Sequence, residues 1–298
     1  MRSIRYIVFD DEGRLRSGWR ATVFLFTFFV FGGIFIFAAT MLLASLPIGP
    51  SIGSYLPLTI PFAISAIIAL VFGWLYGRWF EGLPFRALGI SFKGKWILNF
   101  SIGMLLGGFA FCIALITALM AGGLSLTFNR DSSSAAIWNT LIVTFVVFAI
   151  GALSEETLFR GYPLQTLVRS DQVIAGIAVT SLLFALGHLG NPDAGNISML
   201  NTLLAGVWFA AAYLKTRDLW FPFGMHLMWN WLQGPVFGIN VSGIADLSPD
   251  PVMRAADHGP TWLTGGPYGI EGGVACTIAI LLTIALGWWV PWPNPSKE

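Results

Sequence analysis

Long apolar runs recur along the chain and limit what it can fold into. A helix needs about 20 apolar residues to cross a hydrocarbon core of about 30 Å. Eight runs meet this criterion approximately, at 20–46, 55–77, 96–122, 135–160, 172–190, 196–215, 219–240 and 272–290. The sequence therefore predicts an all-α, polytopic membrane bundle with about eight transmembrane helices, formed by residues 1–298 as a single membrane domain.

The composition agrees with a membrane location. Hydrophobic residues make up 56% of the chain and charged residues 10%, against about 25% charged residues in soluble domains. The net charge of +1 offers no basic field for nucleic acid. Cys112 and Cys276 lie within apolar runs, so a disulfide is not expected.

Positive charges suggest how the spans are oriented. Lysine and arginine collect in the cytoplasmic loops of membrane proteins, and here they fall in alternate loops. The residues placed on the inner side are Arg2, Arg5, Arg14, Arg16, Arg20, Arg78, Arg86, Lys93, Lys95, Arg169, Lys215, Arg217 and Lys297. Both termini are thus predicted to be cytoplasmic, and 241–271, the longest polar connection, is predicted to be an outer loop.

Charged side chains interrupt the fourth span, at Glu155, Glu156 and Arg160. A charge at the bilayer centre costs roughly 2.5–3.5 kcal/mol on insertion scales, so residues of this type in a span indicate a functional site. Glu156 and Arg160 are four residues apart on one helical face and can pair. Glu155 then has a different environment, which favours a general base beside a structural ion pair. A buried ion pair that only fixes helix register is the simpler alternative.

Two histidines interrupt the fifth and seventh spans. Phe184 shares a helical face with His188, as His226 does with Asn230. Glu155 lies 16 residues before Asp171 and His188 lies 17 after it, which places both about 25 Å from the intervening turn. These offsets favour one site open to the cytoplasmic side. A histidine alone in a span is often only an interhelical contact.

Three motifs resemble those of one protease family. Glu155 to Arg160 resembles the EExxxR element, Phe184 to His188 the FxxxH element, and His226 to Asn230 the HxxxN element. They occur in this order in the CAAX-processing and bacteriocin-processing (CPBP, Rce1-like) intramembrane proteases. The resemblance covers about 150–232, which is identified as the catalytic core.

The resemblance implies hydrolysis of a peptide bond in a membrane-associated peptide or protein, with a lipid-modified C-terminus as one candidate. Glu155 would activate water with the help of His188, and His226 with Asn230 would stabilise the oxyanion. Glu156 and Arg160 would hold the site together. A zinc site through Glu155, His188 and His226 is one possibility; a metal-free mechanism uses the same residues and is slightly preferred, because Asn230 suits an oxyanion donor.

Two other functions fit a polytopic chain with intramembrane acids. A non-catalytic membrane interaction or immunity protein could keep the same fold, although it would not need both glutamates and both histidines. A proton-coupled transporter could use such residues as a relay. Transporters commonly show duplicated halves, and the first three spans here have no counterpart to the polar residues of the later ones.

Overall fold

Helices dominate the fold. The computed structural model describes residues 6–46, 55–245 and 247–289. The helices are α1 (Ser17–Ala44), α2 (Leu56–Glu81), α3 (Trp96–Met120), α4 (Ser134–Phe159), α5 (Tyr162–Val168), α6 (Val173–Gly187), α7 (Asn196–Thr216), α8 (Trp220–Trp231), α9 (Thr261–Thr264) and α10 (Val274–Trp289). Two strands, β1 (Leu124–Phe128) and β2 (Met253–Asp257), complete the regular structure together with short 3₁₀ and π turns.

Five helical segments are long and apolar enough to cross a membrane, and they identify an integral multi-pass protein. These segments are α1, α2, α3, the α4–α5 stretch Ser134–Val168, and α7. Of the other predicted spans, α6 and α10 are apolar but shorter, and α8 has only 12 residues. The count of eight and the cytoplasmic termini stay predictions. Arg2, Arg5 and Lys297, which supported that orientation, lie outside the described residues.

Residue contacts divide the chain into two units, which leaves the single membrane domain a prediction. Unit 1 comprises the residues up to Gly94 together with Ile150–Thr180. Unit 2 comprises Lys95–Ala149 and the residues from Ser181 onwards. Helices α4 and α6 each contribute residues to both units.

Unit 1 is held together by an ion-pair cluster and an aromatic cluster. Glu81, at the end of α2, binds Arg20 of α1 at 2.9 Å and Arg169, just after α5, at 2.9 Å. The Tyr162 ring lies 5.6 Å from Phe24 and 6.0 Å from Tyr76, centroid to centroid. These contacts fix α5, and with it the C-terminal end of α4, against α1 and α2.

Unit 2 depends on close backbone contact between α3 and α8. A Cβ atom on Gly107 would lie 2.1 Å from the Met225 carbonyl oxygen, and one on Gly103 would lie 2.2 Å from that of Phe221. Gly224 faces the Phe100 carbonyl in the same way, at 2.4 Å. Small residues four apart allow such approach between apolar helices. This packing fixes the helix that carries His226.

Gly107→Ala is expected to destabilise the protein by about 1–3 kcal/mol, since the added methyl group forces the two backbones apart. Thermal unfolding of the purified protein in detergent measures the change. Gly33→Ala is the control, because a Cβ atom on Gly33 of α1 would have no other atom within 4 Å. Equal stabilities for the two variants would contradict the close-contact account.

The segment 241–271 is more ordered than the predicted loop. Strand β2 pairs antiparallel with β1, from Leu124 opposite Asp257 to Phe128 opposite Met253. Tyr268 and Ile270 are fully buried. The sequence did not predict this sheet, because five-residue strands carry too little alternation to be recognised. Asp246 of the segment lies outside the described residues.

Candidate active site

A fully buried ion pair lies at the C-terminal end of α4. The Arg160 Nη1 atom lies 3.2 Å from Glu156 Oε1, and both side chains have no exposed area. The predicted pairing of these two residues is therefore present. Removing one member of a buried pair leaves a charge without compensation, so this pair is a structural anchor for the helix end.

Glu155 occupies a different environment from its neighbour. Its side chain is partly accessible, while Glu156 is completely buried. The chain leaves the helix just beyond, at Gly161, where a Cβ atom would lie only 2.1 Å from the Thr157 carbonyl oxygen. Only glycine fits there, and this break starts α5 with Pro163 in its first turn.

A polar pocket in unit 2 brings the two histidines and the asparagine together. Its volume is about 40 Å³, enough for a few water molecules. It is lined by Phe184, His188, Asn201, Thr202, Ala205, Trp208, Phe209, His226, Trp229, Asn230, Ser242, Glu271, Cys276 and Ile280. Within unit 2, residues of α6, α7, α8 and α10 thus converge on one cavity.

The backbone fixes the tautomer of His188. This residue lies just after α6, and its Nδ1 atom is 2.8 Å from the Phe184 carbonyl oxygen. A carbonyl oxygen can only accept, so Nδ1 carries the proton and donates it. The Nε2 atom is then the nitrogen that carries the lone pair of the neutral ring.

Aromatic rings hold His226 in place. Its imidazole stacks on Phe209 at 4.9 Å with an interplanar angle of 16°, and the Phe184 ring meets it edge-on at 6.1 Å. His226 is 7% exposed. Asn230 follows one turn later on α8 and also lines the pocket. The helical spacing of these two residues therefore directs both into the same cavity.

Glu271 is a pocket residue that the sequence motifs did not indicate. Its Oε2 atom accepts hydrogen bonds from the Ser242 backbone N–H at 2.7 Å and from the Ser242 hydroxyl at 2.9 Å. Burial raises the pKa of Glu271, while the Ser242 hydrogen bonds and the charges of His188 and His226 oppose that rise. A carboxylate directly before the last apolar run, in a glycine-rich stretch, was the available signal.

The residues of a single unit do not form a metal centre. In neither unit do the described residues bring three His, Cys, Asp or Glu side chains together in a way that could hold an ion. The pocket is lined by His188, His226, Glu271 and Cys276, yet no three of these described side chains are grouped as the three protein ligands of a catalytic zinc would have to be. A zinc site through Glu155, His188 and His226 stays a prediction.

Comparison with known proteins confirms the resemblance drawn from the motifs. Residues 137–232 match the family described as type II CAAX prenyl endopeptidase Rce1-like. The matched region contains all three motifs. No curated protein matches the chain.

Proposed function

Residues 137–232 belong to the Rce1-like family, and from this premise we propose that the chain is an intramembrane endopeptidase. It hydrolyses a peptide bond in a membrane-associated peptide or protein, for which a lipid-modified C-terminus is one candidate. The proposal rests on one observation: His188, His226 and Asn230 line the same pocket, which has room for a few water molecules.

In the proposed reaction, Glu155 takes a proton from water as the water oxygen attacks the carbonyl carbon. The carbonyl oxygen gains the negative charge and accepts hydrogen bonds from His226 and from the Asn230 amide. When the C–N bond breaks, the leaving amine takes up the proton released by the water. His188 assists Glu155 through Nε2, since its Nδ1 atom is bound to the Phe184 carbonyl oxygen.

Two features of the side chains support this division of roles. Glu155 is partly accessible, as a group that must exchange protons with water has to be. The side chains of Glu156 and Arg160 are completely buried, and their proposed role is therefore to stabilise the fold. The opening of the site to the cytoplasm stays a prediction, and the pocket is also lined by Ser242 and Glu271 of the segment predicted to be an outer loop.

The test compares peptides released from membranes that carry wild-type or Glu155→Gln protein, measured by mass spectrometry. Peptides present only with the wild type are expected. Glu12→Gln is the matched control, because it makes the same change on an exposed side chain of unit 1. Identical peptide sets would overturn the proposal.

Experiments on the same membranes distinguish the metal-free from the zinc mechanism, and the peptidase from a non-catalytic protein or a transporter. Release that survives a chelator supports the metal-free mechanism, and loss restored by zinc supports a zinc enzyme. A cellular role that Glu155→Gln leaves intact would indicate a non-catalytic membrane protein. Proton flux in liposomes that Glu155→Gln abolishes, without peptide release, would indicate a transporter.

A further inference from the structure

Glu271 is held in the pocket by contacts from two other segments. Ser242 donates both its backbone N–H and its hydroxyl to one carboxylate oxygen. Asn201 of α7 donates to the Glu271 and Gly273 carbonyl oxygens, each at 2.8 Å. The Thr277 hydroxyl in turn fixes the Asn201 amide at 2.6 Å. The backbone and one oxygen of Glu271 are therefore immobilised.

The two oxygen atoms of the Glu271 carboxylate differ in their hydrogen bonds. Both Ser242 donors go to Oε2, and no side chain or backbone group among the described residues donates to Oε1. The second oxygen is thus available to act within the cavity.

The neighbours of Glu271 are the proposed catalytic groups. The titratable side chains that line the cavity are His188, His226, Glu271 and Cys276. Glu271 is close enough to both imidazoles for their charges to affect it. A carboxylate near a histidine can orient and polarise the imidazole ring. In a cavity with room for only a few waters, the field of the carboxylate is poorly screened.

We propose that Glu271 is a positioning residue of this pocket, whose negative charge orients and polarises His188 and His226 while the peptide bond is cleaved. It acts through the histidines and takes no part in bond making or breaking. This inference rests on the proposed peptidase function. It adds a carboxylate that lies outside the family-matched region, 39 residues beyond its end at 232.

The experiment measures kcat and KM for full-length Glu271→Gln and Glu271→Asp, using as the probe a synthetic peptide that spans the cleavage site defined by the peptides that the wild type releases. The amide keeps the acceptor for Ser242 but removes the charge. Glu271→Gln is expected to lower kcat by about 10–100-fold, by analogy with the carboxylates that orient metal-ligating histidines. The KM should change by less than about threefold, since the role is in the chemical step. Glu271→Asp keeps the charge and should retain more activity.

Asp257→Asn is the matched control, because it removes one negative charge from an exposed position of strand β2 in the same unit. It should leave kcat unchanged. A Glu271→Gln enzyme with wild-type kcat, or one more active than Glu271→Asp, would overturn the proposal. If Glu271→Gln lowers kcat only in proportion to its loss of thermal stability, the role is structural and the proposal is also wrong. A wild type that cleaves nothing refutes the peptidase function itself, and this inference with it.

Discussion

Glu155→Gln is expected to lower kcat for peptide cleavage by about 10²–10⁴-fold, because a positioned general base contributes a factor of this size. The substitution keeps the shape of the side chain and removes its ability to take a proton. His188→Ala should produce a loss of similar order, since it removes the nitrogen proposed to assist Glu155. Both variants should unfold at temperatures close to the wild type. Cleavage of a synthetic peptide that spans the site defined by the released peptides, followed by mass spectrometry, gives the rates.

Glu12→Gln should cleave at the wild-type rate, as its side chain is exposed. Normal cleavage by Glu155→Gln would show that the catalytic assignment is wrong. Loss of cleavage together with loss of folding would also contradict it, since Glu155 would then act on structure as Glu156 does.

Arg160→Ala is expected to lower the free energy of unfolding by about 3–5 kcal/mol, because it leaves Glu156 buried without its cation. Both side chains are completely buried, so water does not replace the lost partner. The measurement is thermal or denaturant unfolding in detergent. Arg14→Ala should leave stability almost unchanged, because the Arg14 side chain is 57% exposed.

A double variant separates the ion pair from packing. Arg160→Met combined with Glu156→Gln removes both charges and keeps most of the volume, so it should recover part of the lost stability. If the double variant is as unstable as the sum of its single changes, the two residues are not coupled. That outcome would contradict their assignment as an anchoring pair.

Local patterns in the sequence predicted much of the fold. The five long spans were recognisable because each carries its own apolar run, and the helix ends differ by only a few residues. Of the other predicted spans, 172–190 and 272–290 match helices to within three residues, whereas 219–240 was drawn too long. Span 219–240 stops being α-helical at Trp231, where a π turn with Pro235 follows, and hydropathy alone does not register such a break.

The sequence by itself determined which residues could share a helical face. Glu156 pairs with Arg160, and His226 lines the same cavity as Asn230, because residues four apart on a helix are neighbours whatever surrounds them. Only tertiary structure decided what faces those residues from other segments. Glu271 meets Ser242 across 29 residues, and its carboxylate enters the histidine pocket because α7 and α10 pack there. Contacts of that kind depend on how helices pack, which no local pattern of residues encodes.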